Sequence, residues 1–173
     1  LTLKPNLDIK IVVGLDKYTG LNRQKMEQMN IIKEFWNNKA DIMSYALQYE
    51  KDTIFLDSDV FIVNPINCID HTKDLGLSPH YVRKSNTDEV GYYNGGCVWT
   101  KNKDVPLCWK KHTVKSRYVD QASLEDVAID YKNNMFEFGE EVNYMPWRVL
   151  LANDQQEVVN SININNNQIN IGS

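Results

Sequence analysis

Lys51-Asp52-Thr53-Ile54-Phe55-Leu56-Asp57-Ser58-Asp59-Val60-Phe61-Ile62-Val63-Asn64-Pro65 is the stretch on which the reading of this chain turns. Thr53 to Leu56 is a short apolar, β-prone run and reads as a buried strand. It ends in two carboxylates separated by one small residue. In extended chain, residues i and i+2 point to the same side, so Asp57 and Asp59 are expected to present oxygens to one point. Ser58 takes little room and lets a ligand approach the backbone. In open α/β sheets, ligands bind in the crevice beyond the carboxyl ends of the strands. Two carboxylates there suit a hard divalent cation, Mg²⁺ or Mn²⁺, and such a cation suits phosphate oxygens.

On the N-terminal side, Asn37-Asn38 offers an N-cap for a helix running to about Glu50, directly into that strand. Trp36, Ala40, Met43 and Leu47 recur at helical spacing and form its buried stripe. Lys39 falls in the first turn, where a cation works against the helix dipole. It reads either as a solvated lysine or as a cation reaching toward an anionic ligand in the crevice. Earlier still, Asp8 to Leu15 reads as a first strand, and Asn22 to Ile32 has helix propensity.

On the C-terminal side, Val60 to Val63 continues extended until Asn64-Pro65 ends it. Asp74 to His80 reads as a strand, and Arg83 to Val90 as an exposed loop. His71 and His80 are isolated and read as surface or satisfied histidines. Tyr92-Tyr93-Asn94-Gly95-Gly96-Cys97-Val98-Trp99 places two glycines before a short apolar strand. By itself that favours a plain Asn-Gly turn between strands; the competing reading is close approach of a ligand, with Asn94 bonding a polyhydroxy group. Pro106 opens a helix to about Val114. Asp120 reads as the N-cap of a helix to about Lys132, which explains it structurally; Gln121 has no such explanation. Met135 to Phe138 is a strand. Asn143 to Arg148 is an aromatic loop, in which Trp147 reads as half-buried and Arg148 as a partner for a carboxylate or ligand. The Asn-rich tail from Val158 reads as a β-hairpin turning at Asn165 to Asn167.

Alternation of strands and helices gives an α/β fold with a mostly parallel, mixed sheet. The chain's 173 residues suit one domain with a single core. A net charge of -4 and a pI near 5.4 speak against a nucleic-acid-binding surface. No apolar run approaches the roughly 20 residues of a membrane span. Three cysteines, with no C-x-x-C spacing, read as reduced, packed thiols and not as a disulfide framework or zinc site. No N-x-[ST] sequon occurs, which favours a cytoplasmic location. A start at Leu1 is what a trimmed chain gives.

Three chemistries compete for the D-x-D. An EF-hand loop needs ligands at alternating positions and glycine at its sixth, where this chain has Phe61 and Ile62 at the fifth and sixth. A phosphatase of the haloacid dehalogenase type would use Asp57 as nucleophile and Asp59 as general acid. Phe61 and the segment Gly139-Glu140-Glu141 depart from that pattern. In nucleotide-sugar chemistry the pair holds a metal that neutralises a diphosphate leaving group.

The run from Lys39 through Leu47 to Asn64-Pro65, followed by Tyr93-Asn94-Gly95-Gly96 and Asp120-Gln121, resembles the glycosyltransferases of the GT-A fold, especially the glycogenin-like and lipopolysaccharide-galactosyltransferase-like enzymes. The resemblance covers roughly Lys39 to Glu125. It rests on the order and spacing of the blocks, each of which is unspecific alone. What it implies is one catalytic domain over 1–173, a UDP-sugar-like donor, Mn²⁺ or Mg²⁺, and a carbohydrate or protein-linked acceptor. Asp59 would ligate the metal, Asp57 would ligate it or hold the ribose, and Lys39 and Ser58 would face the donor. Asn94, Gly95 and Gly96 would contact the donor sugar, Asp120 and Gln121 would lie by the reacting carbon, and Trp147 and Arg148 would meet the acceptor, where Trp147 is at least as well explained as a core tryptophan. The family begins with an earlier nucleotide-binding strand and takes a late histidine as third metal ligand; here the last histidine is His112, so either the chain is cut short at both ends or another group or water completes the shell. A catalytically inactive nucleotide-sugar-binding module is the alternative outside enzyme chemistry.

Overall fold

A computed structural model describes residues 10–14, 20–62, 66–80, 84–139, 142 and 171–172. Within them the order is α1 (Arg23–Gln28), α2 (Ile32–Trp36), α3 (Asn38–Ala46), β1 (Thr53–Leu56), β2 (Phe61–Ile62), β3 (Leu75–Pro79), α4 (Lys84–Val90), β4 (Tyr93–Thr100), α5 (Asp104–Thr113), α6 (Leu124–Asp130), β5 (Met135–Glu137) and β6 (Ile171–Gly172). The main sheet runs β1-β4-β3-β5, and β2 pairs with β6 in a separate ribbon.

The α/β class and the mixed sheet agree with the sequence. The expected predominance of parallel pairing does not hold among the described strands. β4 is antiparallel to both β1 and β3, and only β3 with β5 is parallel. The physical reason is that strands buried on both faces look alike in either direction, so composition does not encode orientation. The segment carrying α4 returns the chain antiparallel to β3, without the crossover a parallel pair needs.

β4 is central and buried along its whole length. Its side chains alternate between two cores. Val98 joins Leu75, Leu77, Met43, Val105, Trp109, Leu124 and Val127 under α3, α5 and α6. Cys97 and Trp99 join Phe138 and Val142 on the opposite face. Leu75, Leu77, Met43 and Val98 are fully enclosed, and each such side chain contributes roughly 1.5–3 kcal/mol.

Several local expectations are corrected. The polar run from Arg83 contains helix α4; a surface helix carries little periodicity when its apolar stripe is short. Asn37 stands at the start of α3 without a side-chain cap, because α2 runs almost directly into α3. Asn22, by contrast, caps α1 by accepting from Lys25 N. Of the stripe read for α3, Ala40, Met43 and Leu47 are buried, while Trp36 falls at the end of α2 and is half-buried. Residues 10–14 carry no strand, and the remainder of the expected first strand lies outside the described residues. The expected hairpin turn at 165–167 also lies outside them; the described piece of the tail, Ile171–Gly172, pairs with Phe61–Ile62. Cys68, Cys97 and Cys108 are free thiols, as expected. Among the described residues no helix is long and apolar enough to cross a membrane.

Candidate active site

The candidate residues gather where β1 ends beside the first half of β4. Leu56 pairs with Cys97, and Asp57 N then donates to Gly96 O at 3.0 Å, extending the ladder by one bond. The chain turns immediately afterwards, with Val60 N donating to Asp57 O at 3.1 Å. The acidic pair therefore sits on a turn and not in extended chain, which corrects the reasoning from i and i+2. Asp57 leans inward, while Ser58 and Asp59 are exposed.

Lys39 links the blocks. Its Nζ lies 3.0 Å from Asp57 Oδ1, 3.3 Å from Asp120 Oδ2 and donates to Gly95 O at 3.2 Å. It also stands 5.4 Å from the Phe55 ring centroid, within cation–π range. The lysine is thus turned toward these carboxylates and the β4 backbone and not out to solvent, which explains a cation in the first turn of a helix.

Asn94, Gly95 and Gly96 lie inside β4, so the turn reading of this block is overturned. Asn94 is buried, and its Oδ1 accepts from Gly96 N at 2.7 Å. A Cβ at Gly96 would sit 2.7 Å from Asp57 Oδ2, and one at Gly95 would sit 3.3 Å from Asp120 Oδ2. The absence of side chains at 95 and 96 is what leaves room for the carboxylates.

Asp120 is 6% exposed and caps no helix, since α6 begins only at Leu124 behind Ser123. This corrects the N-cap reading. Its backbone carbonyl accepts from Trp109 Nε1 at 2.8 Å and from Ser123 Oγ. Its Oδ2 has no hydrogen bond; Lys39 approaches closely enough for an ion pair but off the line of one. Burial raises the Asp120 carboxyl above its ordinary range, against the pull of Lys39. Gln121 donates from Nε2 to Val90 O at 3.0 Å and turns Oε1 toward Gly95 N at 3.5 Å.

Two residues unmarked in the sequence hold this loop. Val119 has φ +38°, a left-handed conformation that strains a β-branched residue. Gly91 has φ +100°, and a Cβ there would lie 2.8 Å from Ala122 Cα. Positive φ is not legible in a single sequence at a valine; Gly91, directly before the tyrosine pair, was the one available signal. Trp147 and Arg148, read as acceptor residues, lie outside the described residues.

The donor chemistry fits a hard divalent ion. Asp57 and Asp59 are carboxylates two residues apart on the turn after β1, the type of oxygen donor Mg²⁺ or Mn²⁺ takes together with phosphate and water. Among the described residues no group of three His, Cys or carboxylate ligands includes either of them.

No family model matches the chain, and no curated protein matches it. Among solved structures, galactosyltransferase LgtC, in complex with donor and acceptor sugar analogs, is similar at 17% identity and a TM-score of 0.47, over 76% of this chain and 57% of that one. The glycosyltransferase GlyE of Streptococcus pneumoniae is similar at 12% identity and a TM-score of 0.42, over 75% of this chain and 35% of that one. This chain therefore spans little more than half the length of the first and about a third of the second. Both superpositions are loose, and neither decides what this chain binds.

Proposed function

We propose that residues 1–173 are the catalytic domain of a glycosyltransferase that moves a hexose from a nucleoside-diphosphate sugar, UDP-linked by preference, to a hydroxyl of a carbohydrate or protein-linked acceptor. The observation that supports it is the convergence on Lys39. Three blocks far apart in sequence, ending in Asp57, Gly95 and Asp120, meet around one ammonium group. A structural ion pair needs one carboxylate; a second at the same ammonium, buried and with its carboxyl pKa raised, is the kind of group that gathers at functional sites.

Asp57 and Asp59 would hold Mn²⁺ or Mg²⁺, which when bound supplies positive charge for the departing diphosphate. Lys39 adds a cation on the same side and orients Asp57. Asp120 would lie by the reacting carbon, its carboxylate held against the Lys39 ammonium. Gly95 and Gly96 leave room for the Asp57 and Asp120 carboxylates against β4. Gln121, held by Val90 O and turned toward Gly95 N, would lie by the reacting carbon beside Asp120.

The test is thermal stability in the presence of UDP and a panel of UDP-hexoses, with and without Mn²⁺. A Tm rise that needs nucleotide and metal together, and is lost in Asp59→Ala, is the expected result. Asp59 is exposed, so its removal leaves the fold intact. No shift with any nucleotide in the presence of metal would overturn the reading. Binding without hexose release or transfer across an acceptor panel would instead identify an inactive sugar-nucleotide-binding module.

A further inference from the structure

We propose a second metal site, for Zn²⁺, between α5 and α6, formed by Cys108, His112 and Asp130 with Asp126 behind the histidine. It is independent of the sugar-transfer reading. Cys108 and His112 are four residues apart on α5 and so share a face, and Asp126 and Asp130 repeat the spacing on α6. His112 Nε2 lies 2.8 Å from Asp130 Oδ2, and Cys108 Sγ lies 3.3 Å from the same oxygen. The three ligand atoms fall within 4.8 Å of one another.

Both contacts share one acceptor, Asp130 Oδ2, so sulfur, ring nitrogen and carboxylate oxygen lie close enough together to ligate one tetrahedral ion. The other ring nitrogen, His112 Nδ1, faces Asp126 Oδ2 at 3.9 Å. A carboxylate behind the remote nitrogen is the arrangement that fixes the tautomer of a metal-bound imidazole. The mixed S, N, O set selects Zn²⁺ over Mg²⁺, Mn²⁺ and Ca²⁺, which prefer oxygen alone. The site is reachable: the side chains of His112 and Asp130 are 24% and 49% exposed. On binding, the Cys108 thiol gives its proton to solvent and its sulfur to the metal. The fourth position is left to water.

The site has a bearing on the rest of the molecule. Trp109, next to Cys108, holds the Asp120 carbonyl, and the Asp120 segment leads into α6. An ion joining the two helices clamps both supports of that loop.

The experiment is titration of the metal-free, reduced protein with Co²⁺, read by absorption. A thiolate-to-cobalt charge-transfer band in the near ultraviolet, saturating at one equivalent and bleached by Zn²⁺, is expected. Asp57 and Asp59 carry no sulfur, so Co²⁺ there gives no such band, and Asp59→Ala leaves it unchanged. Cys108→Ser, which keeps a polar group for Asp130, abolishes the band, and so does His112→Gln. Asp126→Asn keeps it while weakening Co²⁺ binding by about 10–100-fold. Absence of the band, or its persistence in Cys108→Ser through Cys68 or Cys97, overturns the proposal.

Discussion

Lys39 Nζ stands 3.3 Å from Asp120 Oδ2, a contact between the start of α3 and a loop some eighty positions later in the chain. Asp120 is nearly enclosed, and among the described residues Lys39 is the cation in ion-pair contact with it. Replacing Lys39 by Met leaves a buried carboxylate without counter-charge. The expected loss is about 1–3 kcal/mol of unfolding free energy, by urea denaturation. Adding Asp120→Asn to Lys39→Met is expected to restore at least half of it, since the second change removes the stranded charge. A double variant no better than the single one would show that the lysine matters through packing alone.

The same carboxylate gives a pH signature. Burial raises its folded-state value above that of the unfolded chain, despite Lys39. The folded protein therefore holds that proton more tightly, and the associated stability is complete below the unfolded-state pKa of an aspartate. It is lost as pH rises through the higher folded value. In metal-free buffer, wild type is expected to lose stability relative to Asp120→Asn as the pH climbs out of the acidic range. The comparison with Asp120→Asn cancels the titration of the other carboxylates. A gain relative to Asp120→Asn over that range would mean that the ion pair outweighs desolvation.

Gly96 and Gly76 separate chemistry from packing. A Cβ at Gly96 would press on the mobile end of Asp57, 2.7 Å away, while one at Gly76 would press on the Phe136 ring at 2.5 Å. Gly96→Ala is expected to fold with nearly unchanged stability and to weaken metal-dependent nucleotide binding at least about tenfold, equivalent to 1.4 kcal/mol. Gly76→Ala is expected to lose about 1–3 kcal/mol of stability through overpacking, with binding intact once folded. Calorimetric titration and denaturation on both variants check this.

Val119 is the fourth test. Its φ of +38° is costly for a β-branched side chain and acceptable for asparagine. Val119→Asn is expected to stabilise the protein by about 1 kcal/mol, the low end of such strain. A loss instead would mean that the half-buried valine side chain contributes more by packing than the backbone loses by strain.

The sequence carried the strand Thr53–Leu56, the buried face of α3 and the order of the candidate blocks, because these depend on local apolar spacing. It carried the importance of Lys39 only as an oddity of helix electrostatics; the partners that explain it come from β1, β4 and the loop before α6. It misplaced Asn94-Gly95-Gly96 in a turn, since two glycines state only that side chains are unwanted. Here they are unwanted because carboxylates occupy the space. Asp120 looked like a helix cap because short polar residues before helices are caps more often than not. The Cys108 and His112 spacing was visible, but its meaning needs Asp126 and Asp130 from another helix, and no linear pattern joins the two pairs.

Gly91 carries no reactive group, yet its α-carbon stands against the backbone of Ala122, one residue beyond Gln121. Any descendant of this sequence that acquires a side chain at 91 must displace the segment bearing Asp120, or lengthen it. Positions 91 and 122 are therefore bound to drift as a pair or not at all, and a silent hydrogen atom sets how far this loop can evolve.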